Sequence, residues 1–362
     1  GIIATSSNRI YHRRGGSCDH CQQRAPQCPQ PRQPCSFGGN RVHLVESIKK
    51  ANDTPSVKVI VITGAGKAFS AGADITEFSA AGMKEPYLPD VFDVIEASKK
   101  LVVAAVNGMA LGGGCELALA SHIRVAVASA NFSLPEIKLG IIPGAGGTQR
   151  LPRAVGVQNA IMMACSGRNV KAPAAKAMGL VDAVLPAADE AAGIVAFASK
   201  IGLAAVAGKK PIRRLCNDTS KLGNFLTNTF VLRAAKSQLQ KTVPPGMTSP
   251  YRCLEAIQAA TAVSTFKDGL AAERKIFLEC AQTPQAAAMQ HFFFAQRAAL
   301  RIPGIPKEAK GRDVKSLGVI GGGTMGAGIA ICALNANIPT TVLETSEERR
   351  AAAIKTVEDV YA

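Results

Sequence analysis

The sequence lacks long apolar runs. No apolar run in its 362 residues approaches the roughly 20 that a membrane-spanning helix needs. The first residues, GIIATSSNRIYHRR, contain no apolar core of a signal peptide. Tryptophan is absent and there are only 4 tyrosines, whereas glycine and alanine are abundant. This composition suits close packing of helices on strands, and the lack of long apolar runs leads us to expect no integral membrane association.

Acidic residues are also scarce. Lysine and arginine number 42 against 26 aspartates and glutamates, which gives a formal net charge of +16. A strongly basic chain favours anionic partners, namely nucleic acid, membrane surfaces or small phosphorylated ligands. Hydrophobic residues make up 47% of the chain, which is enough to bury a core. Charge alone therefore leaves several classes of partner open.

The ten cysteines show no disulfide-framework pattern outside one short stretch. Six of them are scattered, mostly in apolar runs, which is typical of reduced thiols in an intracellular protein. The other four lie within residues 17–36, SCDHCQQRAPQCPQPRQPCS, with the spacing C-x2-C-x6-C-x6-C. This stretch resembles the first four ligands of a six-cysteine zinc cluster, but the last C-x2-C element is missing. A zinc module, a disordered or alternative N-terminus and a frameshifted reading all remain open here.

The middle of the chain has an α/β pattern. VKVIVIT (57–63) and LVVAAVNG (101–108) are near-continuous apolar runs of strand length, and IRVAVAS (123–129) and VDAVLP (181–186) resemble them. Such runs predict strands that are covered on both faces. Glycine-rich turns and helical patterns separate them, which indicates an α/β fold.

The pattern changes twice after this region. From about residue 189 to 300 the segments all have helical spacing, so we expect no strands there. Residues 301–316, rich in proline and charge, have the composition of a linker. LGVIG (317–321) then predicts a strand that opens a second α/β unit.

Two glycine-rich turns and two carboxylates in apolar surroundings suggest a catalytic site. KAFSAGADI (67–75) and NGMALGGGCELALA (107–120) allow backbone N–H groups to approach a ligand closely. Two such N–H groups can stabilise a developing oxyanion, although packing of a helix on a strand also explains the glycines. Glu116 and Glu136 both lie among apolar neighbours, where burial raises a carboxyl pKa towards that of a general acid or base. A salt-bridged structural role is the alternative for either one.

These segments, together with LPEIKLGIIPGAGGTQRLPRAVG and SGRNVKAPAAKAMGLVDAVLP, resemble the enoyl-CoA hydratase/isomerase (crotonase) family from about residue 57 to 186. The resemblance implies a core of repeated ββα units and an acyl-CoA thioester substrate. It places the oxyanion hole at the N–H groups of Ala73 and Gly113 and the catalytic carboxylates at Glu116 and Glu136. Members with both glutamates are typically hydratases, so the resemblance implies addition of water to a 2-trans-enoyl-CoA, with isomerase activity possible in addition.

The same resemblance assigns the remaining site residues. Glu116 deprotonates the attacking water at C3 and Glu136 supplies the proton at C2. CoA is expected to contact residues of the two glycine-rich turns, namely Lys67, Ala71, Ala73, Asp74, Gly112 and Gly113. For Lys67 the alternative is a solvated loop lysine without a binding role. Hydration requires no cofactor and no metal. A catalytically impaired member of the family and a basic zinc or nucleic-acid-binding protein are the alternative functions.

A second motif follows the predicted linker. VIGGGTMGAGIAICALNANIPTTVLE (319–344) contains G-x-G-x-x-G after a strand and before a helix, and ends on an acidic residue at the end of a second strand. This is the context of a dinucleotide-binding fingerprint, with the pyrophosphate on the helix N-terminus and the acid on the ribose hydroxyls, which favours NAD over NADP. The predicted cofactor-binding residues are Gly321, Gly323, Thr324, Met325, Gly326 and Glu344.

The order of these modules resembles the multifunctional enzymes of fatty-acid β-oxidation, most closely the peroxisomal bifunctional type, with the bacterial and mitochondrial forms as the nearest alternatives. The resemblance implies a peroxisomal location, no nucleic-acid partner and, because the dehydrogenase residues stop early, no dehydrogenase activity from this chain. The oligomeric state is left open. The expected organisation begins with an aberrant or disordered N-terminus (1–41) and a crotonase domain (42–188). A helical segment that completes the crotonase domain (189–300), a linker (301–316) and a truncated Rossmann domain (317–362) follow.

The cysteine-rich stretch stands where the family has its first strand. Read one base later, Gln27 to Arg32 can encode Asn-Ala-Leu-Ser-Pro-Ala, which matches the family's pattern. We therefore expect the first strand to be absent.

Overall fold

The computed structural model describes residues 2–5, 10–12, 41–78, 85–186, 193–209, 211–263, 265–299, 304–306, 309 and 311–361. The chain divides into two compact units, residues 1–297 and 298–362. No helix in the described ranges is both long enough and apolar enough to cross a bilayer. The strands of the first unit are β1 Ile2–Thr5, β2 Ile10–His12, β3 Val59–Thr63, β4 Ala68–Ser70, β5 Leu101–Val106, β6 Met109–Leu111, β7 Ile123–Ala126, β8 Asn131–Ser133, β9 Val170–Lys171 and β10 Ala183–Val184.

Eleven helices belong to this first unit within the described residues. They are α1 Arg41–Asp53, α2 Leu88–Glu96, α3 Gly113–Ala120, α4 Gly147–Val155, α5 Val157–Ala164, α6 Ala172–Met178, α7 Gly193–Ala207, α8 Phe225–Thr242, α9 Ser249–Ala262, α10 Phe266–Ala281 and α11 Pro284–Ala299. Short 3-10 turns at Ile75–Phe78 and Glu136–Leu139 follow β4 and β8.

The strands form two sheets that the chain visits alternately. The larger sheet has the order β10-β7-β5-β3-β1-β2, and the smaller has the order β4-β6-β8-β9. Each of β3, β5 and β7 lies in the larger sheet and is followed by a strand of the smaller sheet and then by helical structure. The repeated ββα core is therefore confirmed.

Burial explains the apolar strands. Every residue of β3 and β5 is buried. Alternate side chains of these strands face α7 on one side of the sheet and the main hydrophobic core on the other side. This main core includes residues of α1, α2 and α3. Helix α7, from the predicted helical segment, therefore covers one face of the larger sheet.

The N-terminus differs from the expectation for residues 1–41. β1 pairs in parallel with β3 over Ile2–Thr5, and β2 pairs antiparallel to β1. The larger sheet therefore has a strand beside β3, although the sequence predicted that it would be missing. The resemblance placed the family's first strand at residues 17–36, which fall outside the described residues, and Ile2–Thr5 was not considered. The zinc, disorder and frameshift interpretations of residues 17–36 remain predictions.

The second unit begins as the sequence predicted. Its elements are β11 Leu317–Ile320, α12 Thr324–Asn335, β12 Thr340–Leu343 and α13 Glu347–Tyr361. β11 and β12 pair in parallel from Leu317–Thr340 to Ile320–Leu343. A parallel pair joined through a helix is the first part of a Rossmann fold.

Candidate active site

The predicted oxyanion N–H groups lie side by side. Ala73 follows β4, and Gly113 begins α3 directly after β6. A Cβ atom built on Gly113 would lie 3.3 Å from the backbone nitrogen of Ala73. Neither N–H donates to an acceptor within the described part of the chain. The structure therefore brings together two backbone donors, and the N-terminus of α3 adds its partial positive charge.

Close backbone packing explains the glycines around this pair. Gly112 has a φ of 52°, a left-handed value that favours glycine, and turns the chain from β6 into α3. A Cβ on Gly112 would lie 3.1 Å from Oε1 of Glu136, so this carboxyl group packs directly against the turn. A Cβ on Gly114 would lie only 2.4 Å from the carbonyl oxygen of Ser70. Packing and a binding function both require small residues here.

Glu116 is buried and held by two backbone donors. Its Oε1 accepts hydrogen bonds from the N–H groups of Ala145 (2.9 Å) and Gly147 (2.8 Å). Burial raises the pKa of Glu116, while these two hydrogen bonds and the charge of Arg150 oppose the rise. The carboxylate therefore keeps specific support for its ionised form in a dry site.

Glu136 is also buried but lacks comparable hydrogen-bond donors to its Oε2. It lies at the start of the 3-10 turn after β8, and its buried Oε2 has no hydrogen-bond partner among the described residues. Burial, followed by the negative charge of Glu116, raises the pKa of Glu136 well above its ordinary value. One carboxyl group is thus supported as an anion and its neighbour as an acid, and such opposed environments separate a base from an acid.

A third buried carboxyl group, Glu273 of α10, was missed by the sequence analysis. Its Oε1 accepts from the N–H of Gly146 (2.6 Å), and its Oε2 accepts from the N–H (2.9 Å) and hydroxyl (2.5 Å) of Thr148. Burial and then the charge of Glu116 raise the pKa of Glu273 to about 8. The sequence feature that could have identified Glu273 is its helical spacing, because it puts this residue on the same face of α10 as Leu270 and Phe277.

The other predicted CoA-contacting residues lie near this site with less specific geometry. Lys67 and Ala71 are exposed, before and after β4. Asp74 accepts hydrogen bonds from the N–H (3.0 Å) and hydroxyl (2.7 Å) of Thr76 and so caps the following turn. A contact of these residues with CoA stays a prediction.

The dinucleotide fingerprint of the second unit forms a tight turn. Gly321 has a φ of 90°, and a Cβ on Gly326 would lie 1.7 Å from the carbonyl oxygen of Gly321. Gly323 precedes α12, which starts at Thr324, and Met325 is exposed.

Glu344 lies at the end of β12, where the fingerprint needs its acid. Its carboxylate accepts from the N–H groups of Gly322 (2.6 Å) and Thr345 (3.1 Å), and the first of these lowers its pKa. A cavity of about 710 Å³ adjoins these residues. They therefore fit a bound dinucleotide. In the described ranges, no group of three or more His, Cys, Asp or Glu side chains could hold a metal ion.

Comparison with known proteins gives two family matches. Residues 40–219 match the enoyl-CoA hydratase/isomerase family, and residues 316–362 match the NAD binding domain of 3-hydroxyacyl-CoA dehydrogenase. The chain is 39% identical over 323 residues to the human peroxisomal bifunctional enzyme, covering 88% of this chain and 43% of that protein. It is 36% identical over 323 residues to the peroxisomal fatty acid beta-oxidation multifunctional protein AIM1 of Arabidopsis thaliana, covering 87% and 44%.

The chain thus spans less than half the length of these curated relatives. Among solved structures, enoyl-CoA hydratase from Bacillus anthracis is 29% identical with a TM-score of 0.42, covering 71% of this chain and 85% of that one. The chain therefore belongs to the enoyl-CoA hydratase/isomerase family through residues 40–219, followed by residues of the 3-hydroxyacyl-CoA dehydrogenase NAD-binding domain.

Proposed function

We propose that this chain hydrates 2-trans-enoyl-CoA thioesters to 3-hydroxyacyl-CoA in fatty-acid β-oxidation. The observation that carries the proposal is the pair of buried carboxyl groups with opposed environments, Glu116 and Glu136, beside the two free N–H groups of Ala73 and Gly113. This set can polarise a thioester carbonyl, activate water and deliver a proton. The names of the peroxisomal relatives support the pathway and a peroxisomal location.

The thioester oxygen is the group that the two N–H donors recognise. Addition of a nucleophile at C3 moves the electron pair of the C2–C3 double bond towards the carbonyl oxygen, which becomes an enolate. N–H groups fixed by β4, β6 and α3 need no reorganisation when this charge appears, which makes them effective for transition-state stabilisation. The nucleotide part of CoA then extends past the exposed turn that contains Lys67, whose positive charge suits its phosphates.

The two carboxyl groups complete the addition. Ionised Glu116 takes one proton from water, and the oxygen of that water forms the bond to C3. Protonated Glu136 gives its proton to C2 as the enolate electron pair returns. Water has then been added across the double bond, and the proton on Glu116 must pass to Glu136, directly or through solvent, before the next cycle.

Isomerase activity is a second candidate for the same site. Moving a double bond from C3 to C2 needs one carboxylate to take a proton from C2 and return it at C4, without water. Glu136 is the candidate for this exchange in its ionised form, since its Oε1 lies against Gly112 and its Oε2 has no hydrogen-bond partner among the described residues. Supplying a 3-enoyl-CoA substrate and following formation of the conjugated 2-enoyl product tests this activity separately.

NAD binding is the proposed function of the second unit. The turn from Gly321 to Gly326 and the acid at Glu344 support it, and bound NAD supplies a hydride acceptor for oxidation of 3-hydroxyacyl-CoA. The chain's own part is to receive the pyrophosphate at the N-terminus of α12 and the ribose at Glu344.

Loss of the enoyl absorbance of crotonyl-CoA tests the hydratase directly. The purified chain is expected to consume the enoyl thioester, and Glu116→Gln and Glu136→Gln are each expected to abolish this consumption. If wild-type protein left crotonyl-CoA unchanged, the chain would be a catalytically impaired family member. Bound zinc with salt-dependent DNA affinity would instead favour the nucleic-acid alternative.

A further inference from the structure

Four consecutive backbone N–H groups are shared between two buried carboxyl groups. Ala145 and Gly147 donate to Glu116 of α3, whereas Gly146 and Thr148 donate to Glu273 of α10. All four distances lie between 2.6 and 2.9 Å. Because each peptide group is a rigid plane, fixing the second and fourth N–H groups restricts the directions of the first and third. The two carboxyl groups therefore hold one loop from opposite sides.

Helix α10 packs against the loop from Gly144 to Gln149. A Cβ built on Gly144 would lie 2.5 Å from the ring of Phe277, and one built on Gly146 would lie 3.1 Å from Cδ2 of Leu270. At the other end, a Cβ on Gly269 would lie 2.3 Å from the side-chain oxygen of Gln149. Glu273 lies between these contacts and supplies the polar ones. Side chains and backbone of α10 therefore lie in close contact with the loop from Gly144 to Gln149.

We propose that Glu273 is a positioning residue for hydration: by binding Gly146 and Thr148 it orients the N–H groups of Ala145 and Gly147 and so holds the Glu116 carboxylate at the attacking water. This inference rests on the proposed hydratase function. It gives α10 an indirect role in the site, although this helix lies outside the residues matched to the hydratase/isomerase family, 40–219. Glu273 touches neither the thioester nor the water in this assignment, and acts only through the loop.

The charged groups around Glu273 determine how its role depends on pH. Glu116 faces it across the loop, Glu136 of the 3-10 turn and Cys253 of α9 are also close enough to interact with its charge, and Arg150 of α4 opposes the negative charge on Glu116. With its pKa raised to about 8, Glu273 is largely protonated at neutral pH and becomes an anion in mildly alkaline solution. Its ionisation further raises the pKa of Glu136 and opposes the negative charge that develops on the thioester oxygen.

Glu273→Gln tests the assignment with an isosteric change. The glutamine amide keeps one oxygen that can accept a hydrogen bond. Its NH2 group, however, must face an N–H group that donates to a carboxyl oxygen in the wild-type protein. We expect kcat for crotonyl-CoA hydration to fall by about 10- to 100-fold, since small misplacements of a catalytic group cost this much. KM should stay within about twofold, because the N–H groups of Ala73 and Gly113 are unchanged. In wild type kcat should decrease as pH rises through about 8, and in Glu273→Gln this decrease should move to higher pH.

Two results overturn the proposal. One is a folded Glu273→Gln protein with wild-type kcat. The other is a lower kcat whose alkaline decrease stays where wild type has it, since this indicates a general loss of structure. Glu279→Gln is the matched control, because Glu279 lies on the same helix, is partly exposed and pairs with Arg252. If Glu273→Gln does not fold, Glu273→Asp withdraws the carboxyl group from the N–H groups of Gly146 and Thr148 by one methylene, and a wild-type kcat in that variant also overturns the proposal.

Amide NMR separates this proposal from the hydratase function. In deuterated wild-type protein, the ¹H shifts of Gly146 and Thr148 should titrate near pH 8, and those of Ala145 and Gly147 should move with them. In Glu273→Gln this titration should vanish, and the Ala145 and Gly147 signals should shift relative to wild type. Unmoved signals for Ala145 and Gly147 overturn the positioning role even in an active hydratase. Moved signals in a protein without hydratase activity support the coupling and count against the proposed reaction.

Discussion

Gly147→Ala perturbs the catalytic carboxylate through a single methyl group. Gly147 is the first residue of α4 and does not have a left-handed φ, so alanine suits its backbone. The new Cβ would lie 2.7 Å from Oε1 of Glu116 and 2.9 Å from Cβ of Pro143. Ordinary contacts begin at 3.4 Å, so the carboxylate must move away from the loop by about 0.7 Å. That movement lengthens the hydrogen bond from the Gly147 N–H, which is now 2.8 Å.

The expected loss of activity follows from weakening the hydrogen bond between the Gly147 N–H and Oε1 of Glu116. A hydrogen bond to a charged group contributes about 1.5–3 kcal/mol. If this contribution is lost in the transition state, kcat falls by about 10- to 150-fold at 25 °C. Overpacking should also lower the free energy of unfolding by about 1–3 kcal/mol. KM should change little, since the oxyanion donors are not displaced.

Steady-state hydration of crotonyl-CoA and thermal unfolding measure both effects. Gly328→Ala is the control, because Gly328 lies on α12 with no atom within 4 Å of its added Cβ, and alanine favours a helix there. This control should hydrate at the wild-type rate. A folded Gly147→Ala protein with wild-type kcat would refute the assignment of Glu116 as the base held by this loop.

Three further predictions concern the carboxyl groups and the nucleotide-binding turn. Glu116→Gln and Glu136→Gln should each lower kcat by about 10²- to 10⁴-fold, the range for general acid–base groups, and a residual rate near wild type for either would contradict its role. Because the pKa of Glu136 is raised in the folded state, its stabilising contribution is complete below the ordinary glutamate pKa and decreases as pH rises towards the folded value. Glu136→Gln should therefore increase Tm relative to wild type more at pH 8 than at pH 5, and equal differences at both pH values would count against the raised pKa. Gly326→Ala places a Cβ 1.7 Å from the carbonyl oxygen of Gly321 and should abolish NADH binding, measured by nucleotide fluorescence, while crotonyl-CoA hydration continues.

The sequence predicted the parts of the fold whose cause is local. The apolar runs at residues 57–63 and 101–108 became β3 and β5 because both faces of the larger sheet are covered. Glu116 could be identified because a charge inside an apolar helix is unusual and costly. Glu273 could not, because Arg274 and Lys275 follow it directly and its hydrogen-bond partners lie 125 and 127 residues away. β1 was missed for a similar reason, since its partner β3 is distant in sequence.

The smaller sheet sets the scale of the proposed active site. Ala73, Gly113 and Glu136 follow the neighbouring parallel strands β4, β6 and β8, whose pairing includes Ser70 with Ala110 and Leu111 with Ser133. Adjacent strands lie about 4.8 Å apart whatever their side chains, so backbone pairing fixes the spacing of the three groups. Side-chain changes along these strands leave this spacing unchanged. A single inserted residue between Leu111 and Gly113 would instead displace one donor by about 3.3 Å and separate the pair. The site should therefore tolerate substitution far better than a change in loop length.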